Sequence, residues 1–481
     1  MHGSFPAQGK YPAFHWSAGA IATLASLAFY ALTPLGRTFG DGLDLGLALA
    51  DGSGSHHALF TVLGRGLCAL GLDGGSAARL LSALGMALAV GVVAGAWGQR
   101  TALLAATSPV LWFFGTTAEV HGLHAFGAVA ITAAAFASRG LRPWPRVGLV
   151  VVFSALLPLF HPVLVGLAPL VWIAALPSGR WRSALTWLLL LLGPALAVFL
   201  APVSQHLGWV AYLDTTTNIG DLGKALPARV REFGAPAAAD YFDFAWEELA
   251  QPFGVLALLG AIGIAVGLVR RHPDALVWIA VLTANAMAFA IIGMRELGGY
   301  PIGLLAIFAP AAAALLGWMR AGLGRRADAL LAVLVVAQVA LALDHRQRYT
   351  AEGDDRAFAL EIAAALERHP APSAAPWLLA VRNSRWRQVA LLDGPPGVDV
   401  RFALDPVPKR MRAATARRMA LEAAAFAAAG ARVLLDPAIL GDGPGLTGVR
   451  ELRVELETRF DFVSLGGGVI ELRPKGQTAT K

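Results

Sequence analysis

The chain has 481 residues, 56% of them hydrophobic and 15% charged, with a formal net charge of +7. A water-soluble enzyme of this length cannot hide so much apolar surface, so the composition indicates a polytopic membrane protein. The arginines cluster in short loops between apolar runs, which makes the positive charge a topology signal and gives no reason to expect nucleic acid as a partner.

The first apolar run, Phe14 to Leu32, follows a weakly charged start holding Lys10 and His2, and no small-residue cleavage site follows it. It reads as a retained anchor and not as a signal peptide. The first polar stretch after it is Gly40 to Phe60, GDGLDLGLALADGSGSHHALF, with three carboxylates and two histidines. Asp41 and Asp44 open a short amphipathic helix whose apolar side is Leu43, Leu45, Leu47 and Leu49, and acids are favoured at a helix N-terminus. Three residues apart, the two carboxylates share a face about 5 to 6 Å apart at Cβ. At that spacing they raise one another's pKa and can divide acid and base roles. Asp51 falls in the Gly- and Ser-rich turn that follows. Ala58 to Leu72 reads as a second surface-lying amphipathic segment carrying Arg65. Its Cys68, the only cysteine of the chain, excludes an internal disulfide and a cysteine metal cluster, and its leucine surroundings suit a buried structural thiol.

From Arg79 onward the apolar runs alternate with arginine loops: Arg100; Arg139, Arg142 and Arg146; Arg180 and Arg182; Arg270 and Arg271; Arg320, Arg325 and Arg326. The intervening loops at Thr116 to Glu119 and at His161 carry no Lys or Arg, so the arginine loops are placed in the cytoplasm and the Asp41 loop outside. Arg37, Arg65 and Arg79 run against the rule locally. Val147 to Leu176 is too long for one span of about 20 residues and has arginine at both ends. Pro158, His161 and Pro162 interrupt it, so it reads as two short helices meeting at an outer turn. The sum is about 11 transmembrane helices, at 14–34, 77–97, 101–115, 118–138, 147–160, 163–177, 184–202, 252–270, 275–293, 300–319 and 327–343. The outer loops are then 35–76 and 203–251, with the amino end cytoplasmic and the carboxyl end outside.

After Asp344 the composition becomes that of a soluble domain. Ala357 to Arg368 and Lys409 to Ala429 have helical spacing, and Trp377 to Val381, Val398 to Ala403, Arg432 to Leu435 and Val469 to Leu472 read as strands. The expected organisation is a mainly α-helical polytopic membrane domain over 1–343 and an extracytoplasmic α/β domain over 344–481. Gly466-Gly467-Gly468 precedes a strand and not a helix, so it is no phosphate-binding fingerprint.

The order of features resembles the GT-C type membrane glycosyltransferases, and within them the bacterial relatives of the protein O-mannosyltransferases. The residues carrying the likeness are the acidic pair Asp41 and Asp44 after the first span, His56-His57-Ala58-Leu59-Phe60, and Ala78-Arg79-Leu80-Leu81-Ser82. They continue with Ala106-Thr107-Ser108-Pro109, Glu119 with His121 and His124, and His161-Pro162. Ala58 stands where the family usually has proline, and Asp44 where a Glu is common. The resemblance implies transfer of one sugar from a polyprenyl-phosphate carrier to a glycan, lipid or protein acceptor outside the cytoplasm, in a bacterial inner membrane. The candidate catalytic residues are Asp41 as general base, Asp44 and Glu119. The candidate substrate-binding residues are His56, His57, Arg65, His121, His124, His161 and Arg295, the last in an outer turn where an arginine suits a lipid phosphate.

Each has a structural alternative: an N-cap for Asp41, interfacial histidines, and an ion pair with Glu296 for Arg295. No metal is required by the reading, but a divalent ion held by His121 and His124 with Asp41 or Asp44 is a second use of these groups. A transporter or flippase of lipid-linked glycans would place charges midway along spans and show internal repeats; a non-catalytic scaffold would tolerate loss of the acids.

Overall fold

The computed structural model describes residues 14–34, 45–46, 48–49, 57–168, 170–171, 238–270, 274–292, 297–350, 364, 377–380, 399–402, 412–440, 449–466 and 469–476. The chain forms two compact units, the first ending at Ala351 and the second beginning at Glu352.

The first unit is helical. Its elements are α1 (Trp16–Leu32), α2 (Ala58–Ala69), α3 (Gly74–Trp97), α4 (Gln99–Ala106), α5 (Pro109–Gly115), α6 (His121–Ala137), α7 (Pro143–Phe160), α8 (Ala238–Phe244), α9 (Val255–Val269), α10 (Ala275–Ile292), α11 (Leu305–Leu323) and α12 (Arg326–Thr350). Among the described residues four helices are long and apolar enough to cross a membrane: Gly74–Trp97, His121–Gly140, Tyr300–Leu323 and Arg326–Gln347. A fifth span is formed if the pair Tyr241–Phe253 and Val255–Val269, bent by 110°, counts as one; Trp16–Leu32, Leu59–Ala69, Pro145–Ser154 and Ala275–Ala290 are shorter apolar helices. Trp16, Ile21, Leu24 and Leu32 on α1 and Val333 and Val336 on α12 are exposed, as lipid-facing side chains are in a membrane protein.

Two expected elements differ. The span expected over 101–115 is broken into α4 and α5, because Pro109 has no N–H to continue a helix. Ser108 seals the break, donating to Ala105 O at 2.7 Å and accepting the Leu111 N–H at 3.4 Å. The stretch 238–253, expected within a long loop, is helical, running from α8 through a π-helical turn at Ala245–Ala250 to Gln251–Phe253. The expected span at 184–202 lies outside the described residues.

Helix α3 is the hub. Asp73 caps it by accepting from Ser76 N at 2.8 Å and from Ser76 Oγ at 2.6 Å. It packs on both α1 and α6. It crosses α6 with Gly85 against Gly122, so closely that a side chain at Gly122 would meet the backbone of Ser82 at 2.3 Å.

Ion pairs fix which helix ends lie together. Arg100, after α3, holds Asp328 at the start of α12 at 2.5 Å, and Arg139, after α6, holds Asp274 before α10 at 3.0 Å. At the other end of α12, Arg346 donates to Thr116 Oγ1 at 2.7 Å and Thr33 O at 2.8 Å and lies 5.0 Å from the Trp112 ring centroid. The ends of α1, α5 and α12 therefore share one side.

The second unit holds β1 (Trp377–Ala380), β2 (Asp399–Phe402), α13 (Arg412–Ala428), β3 (Val433–Leu435), α14 (Val449–Glu457), β4 (Phe460–Gly466) and β5 (Val469–Pro474). Its five-stranded sheet has the order β2-β1-β3-β5-β4, parallel across β2, β1 and β3 and antiparallel from β3 to β5 and β4. Ala416, Ala420 and Ala423 of α13 and Leu452 and Leu456 of α14 share one core with Val433, Leu434, Leu435 and Leu472 of the sheet.

Candidate functional site

The polar groups of the first unit converge where α6 and α7 meet the start of α2 and the turn before α11. Helix α6 opens with His121 and carries His124 one turn on, so the two imidazoles share a face, with ring centroids 5.9 Å apart. Helix α7 stops at Phe160. His161 leaves it in extended backbone, φ −164° and ψ 136°, which is the conformation that a following proline enforces. Pro158 lies within the last turn and does not end the helix.

That exit sets the His161 ring against His124, stacked at 4.3 Å with 14° between the planes, and 5.9 Å from His121. His57, just before α2, places its ring 4.8 Å from His161. All four are buried, His121 and His124 at 1% exposure. Tyr300, at the start of a short 3-10 turn, closes one side with its ring 6.0 Å from His121 and 6.3 Å from His161, and Phe114 lies edge-on to His121 at 4.5 Å.

Glu119 immediately precedes α6 and is 2% exposed. Its backbone is clamped to α3: its N–H donates to Ser82 Oγ at 2.7 Å, and the Ser82 hydroxyl donates to the Glu119 carbonyl. Its carboxylate accepts the Val120 N–H at 3.2 Å. The Ser82 hydroxyl, inside the membrane-length run of α3, thus fixes the stretch of backbone that delivers Glu119 and His121. A second buried carboxylate, Glu248 of the π-helical turn, accepts the Gly298 N–H at 2.8 Å. This tethers the turn 297–299, whose Leu297 and Gly298 have positive φ of 53° and 85°. The next residue, Gly299, lies so close to the His121 ring that a Cβ would stand 2.5 Å from Nε2, so only glycine lets the imidazole seat there.

Of the residues singled out from sequence, His57, His121, His124 and His161 come together as one cluster with Glu119 at its α6 edge. Arg65 is exposed on α2. Asp41, Asp44, His56 and Arg295 lie outside the described residues. Sequence reasoning gave Ser82, Glu248 and Tyr300 no part in the site. Ser82 carried a signal, a polar side chain inside an apolar run, but one hydroxyl in a helix is too common to single out; Glu248 sits among Asp240, Asp243 and Glu247, so its charge reads as that of a loop.

No protein-family model and no curated protein matches this chain. Among solved structures it is similar to the archaeal oligosaccharyltransferase AglB from Archaeoglobus fulgidus, solved with an inhibitory peptide and a dolichol-phosphate, at 13% identity and a TM-score of 0.44 over 97% of this chain and 75% of that one. ArnT from Cupriavidus metallidurans in the apo state is similar at 13% identity and a TM-score of 0.48, over 94% and 97%. The arabinofuranosyltransferase AftD from Mycobacteria is similar at 17% identity and 0.43, over 88% of this chain and 37% of that one. Two of the three are named as glycosyl-transferring enzymes, an oligosaccharyltransferase and an arabinofuranosyltransferase.

Proposed function

We propose that this protein is a membrane glycosyltransferase that moves one sugar from a polyprenyl-phosphate donor to an acceptor outside the cytoplasm of a bacterial inner membrane. The observation that carries the reading is the buried cluster of Glu119, His121, His124, His161 and His57 among apolar helices. Burying that many polar side chains in a membrane protein is costly unless they are used. In the proposed reaction Asp41 takes the proton of the acceptor hydroxyl as that oxygen attacks the anomeric carbon. The bond to the carrier phosphate breaks on the opposite face, which inverts the configuration. Asp44 and Glu119 assist, and Arg295 with His56, His57 and Arg65 holds the donor phosphate.

A flippase for lipid-linked glycans is the competing reading. Against it, the described ion pairs Arg100–Asp328 and Arg139–Asp274 sit at helix ends and not midway along spans. Purified protein in lipid vesicles, given lipid-linked sugars extracted from its host's membranes, tests the choice. Transfer of labelled sugar to an acceptor is expected, and Asp41→Asn, which keeps the shape and removes the base, should slow it by on the order of 10² to 10⁴. Activity of that variant within about twofold of the parent, a difference under 0.5 kcal/mol, overturns the base assignment. Movement of the lipid across the bilayer without sugar release favours the flippase.

A further inference from the structure

His121 and His124 stand on α6 and His161 just past the end of α7, yet one imidazole nitrogen from each of the three lies within 4.8 Å of the other two, and all three side chains are buried. We propose that they form a binding site for one divalent late transition-metal ion of the zinc type, with His161 as a ligand in place of a carboxylate. The inference does not depend on the transferase reading.

Three observations carry it. First, both ring nitrogens of His124 lack a hydrogen-bond partner although the residue is 1% exposed. A buried polar group left unmatched is costly, and a metal ion is one partner that would satisfy it, since imidazole is the commonest protein metal ligand. Second, the parallel stack of His124 on His161 at 4.3 Å is compatible with neutral rings, since two imidazolium ions at that distance would repel strongly in a medium of low dielectric. Neutral imidazole is also the form that ligates. Third, His161 Nδ1 accepts the Val163 N–H at 3.4 Å, which puts the ring's lone pair on Nδ1. A contact that long is weak, so an ion can take the lone pair in its place.

Metal–nitrogen bonds of about 2.0 to 2.1 Å in a tetrahedral site set nitrogens about 3.4 Å apart, so binding requires the rings to turn about their side-chain bonds, opening the His124–His161 stack until three lone pairs converge. Donors that are all imidazole select zinc, copper, nickel or iron over magnesium and calcium, which prefer oxygen. Three protein ligands leave one position open, as in catalytic zinc sites. His57 stands next to His161 but outside the set whose nitrogens converge.

The test is metal occupancy of the full-length protein in lipid nanodiscs after chelator treatment, titrated with Co²⁺ and then with competing Zn²⁺. One Co²⁺ per chain is expected, with the intense visible absorption of a four-coordinate ion, displaced by Zn²⁺. His124→Phe and His161→Phe keep a ring in the stack but remove its nitrogens; each should weaken binding by on the order of 100-fold or more, while His15→Gln, at the exposed start of α1, leaves it unchanged. A parent protein that takes up neither ion overturns the site whatever the variants do. Unaltered affinity in both Phe variants overturns the ligand assignment. Because the readout is occupancy, failure of sugar transfer and failure of this site are seen separately.

Discussion

Glu471 on β5 shows how a single charge is held in the second unit. Burial alone would raise its pKa, but hydrogen bonds from Arg473 and Arg432, with Arg432 Nε at 2.8 Å and Arg473 Nη2 at 2.7 Å, outweigh burial and hold the carboxyl below the ordinary glutamate range. The folded pKa is lowered, so the stabilisation is complete above the unfolded value, about 4.3, and is lost as pH falls through the folded one. Arg432 leads into β3 and Glu471 lies opposite Leu434 in the antiparallel pair, so the effect belongs to the β3–β5 seam. Hydrogen exchange of the amides of Val433–Leu435 and Val469–Pro474 in the full protein reads it. At neutral pH Glu471→Gln should exchange faster than the parent, and the difference should shrink as pH falls below the unfolded value and vanish once the folded carboxyl is protonated. Equal protection at neutral pH would show that the seam does not depend on the carboxylate.

At the scale of elements, a glutamine fastens the broken span. Gln338 of α12, fully buried, accepts the Val255 N–H at 2.6 Å and donates to Phe253 O at 3.0 Å and Leu104 O at 3.2 Å. It thereby pairs backbone groups on either side of Gly254, where the chain bends, and joins them to α4. A membrane offers those groups no water, so each orphan is expensive. Gln338→Leu keeps the volume and removes the pairing, and at about 1 to 3 kcal/mol per unsatisfied group it should lower the thermal midpoint of the detergent-solubilised protein by several degrees. An unchanged midpoint would mean that the bend holds without the side chain.

The same bend marks the limit of what the sequence discloses. Apolar runs bounded by arginine located α3, α6, α11 and α12, and the His161-Pro162 dipeptide located the end of α7, because hydropathy and proline act locally. The histidine cluster was legible only in part. Residues 121 and 124 share a face by helical period, but nothing local says that residues 57, 161 and 300 approach them, since that depends on how α7 and α11 pack against α6. The strand β4 and helix α14 were missed because Phe460–Gly466 and Val449–Glu457 are short and their pattern is set by the neighbouring β5 and α13.

At the scale of the molecule, the contacts between helix ends restrict how the first unit crosses the bilayer. Helix α12 begins beside Arg100 and ends beside Thr33 and Thr116. Its 25 residues span about 37 Å, more than the roughly 30 Å of a hydrocarbon core, so if it crosses, as proposed, its ends emerge on opposite sides. Arg100 and Arg139 then lie on the side of the arginine-rich loops, while Thr116 and the neighbouring Glu119 lie on the other. The positive-inside rule assigns the arginine side to the cytoplasm. A green fluorescent reporter inserted at Gly140 should therefore fluoresce, and alkaline phosphatase fused after Thr350 should be active, since that enzyme requires the oxidising exterior. The reverse pair of results would turn the whole unit over, placing the histidine cluster at the cytoplasmic face, where a donor on the outer leaflet cannot reach it. Matching sidedness at both positions would instead mean that α12 does not cross, and the Asp328 and Arg346 contacts at its two ends would have to form on one side of the bilayer.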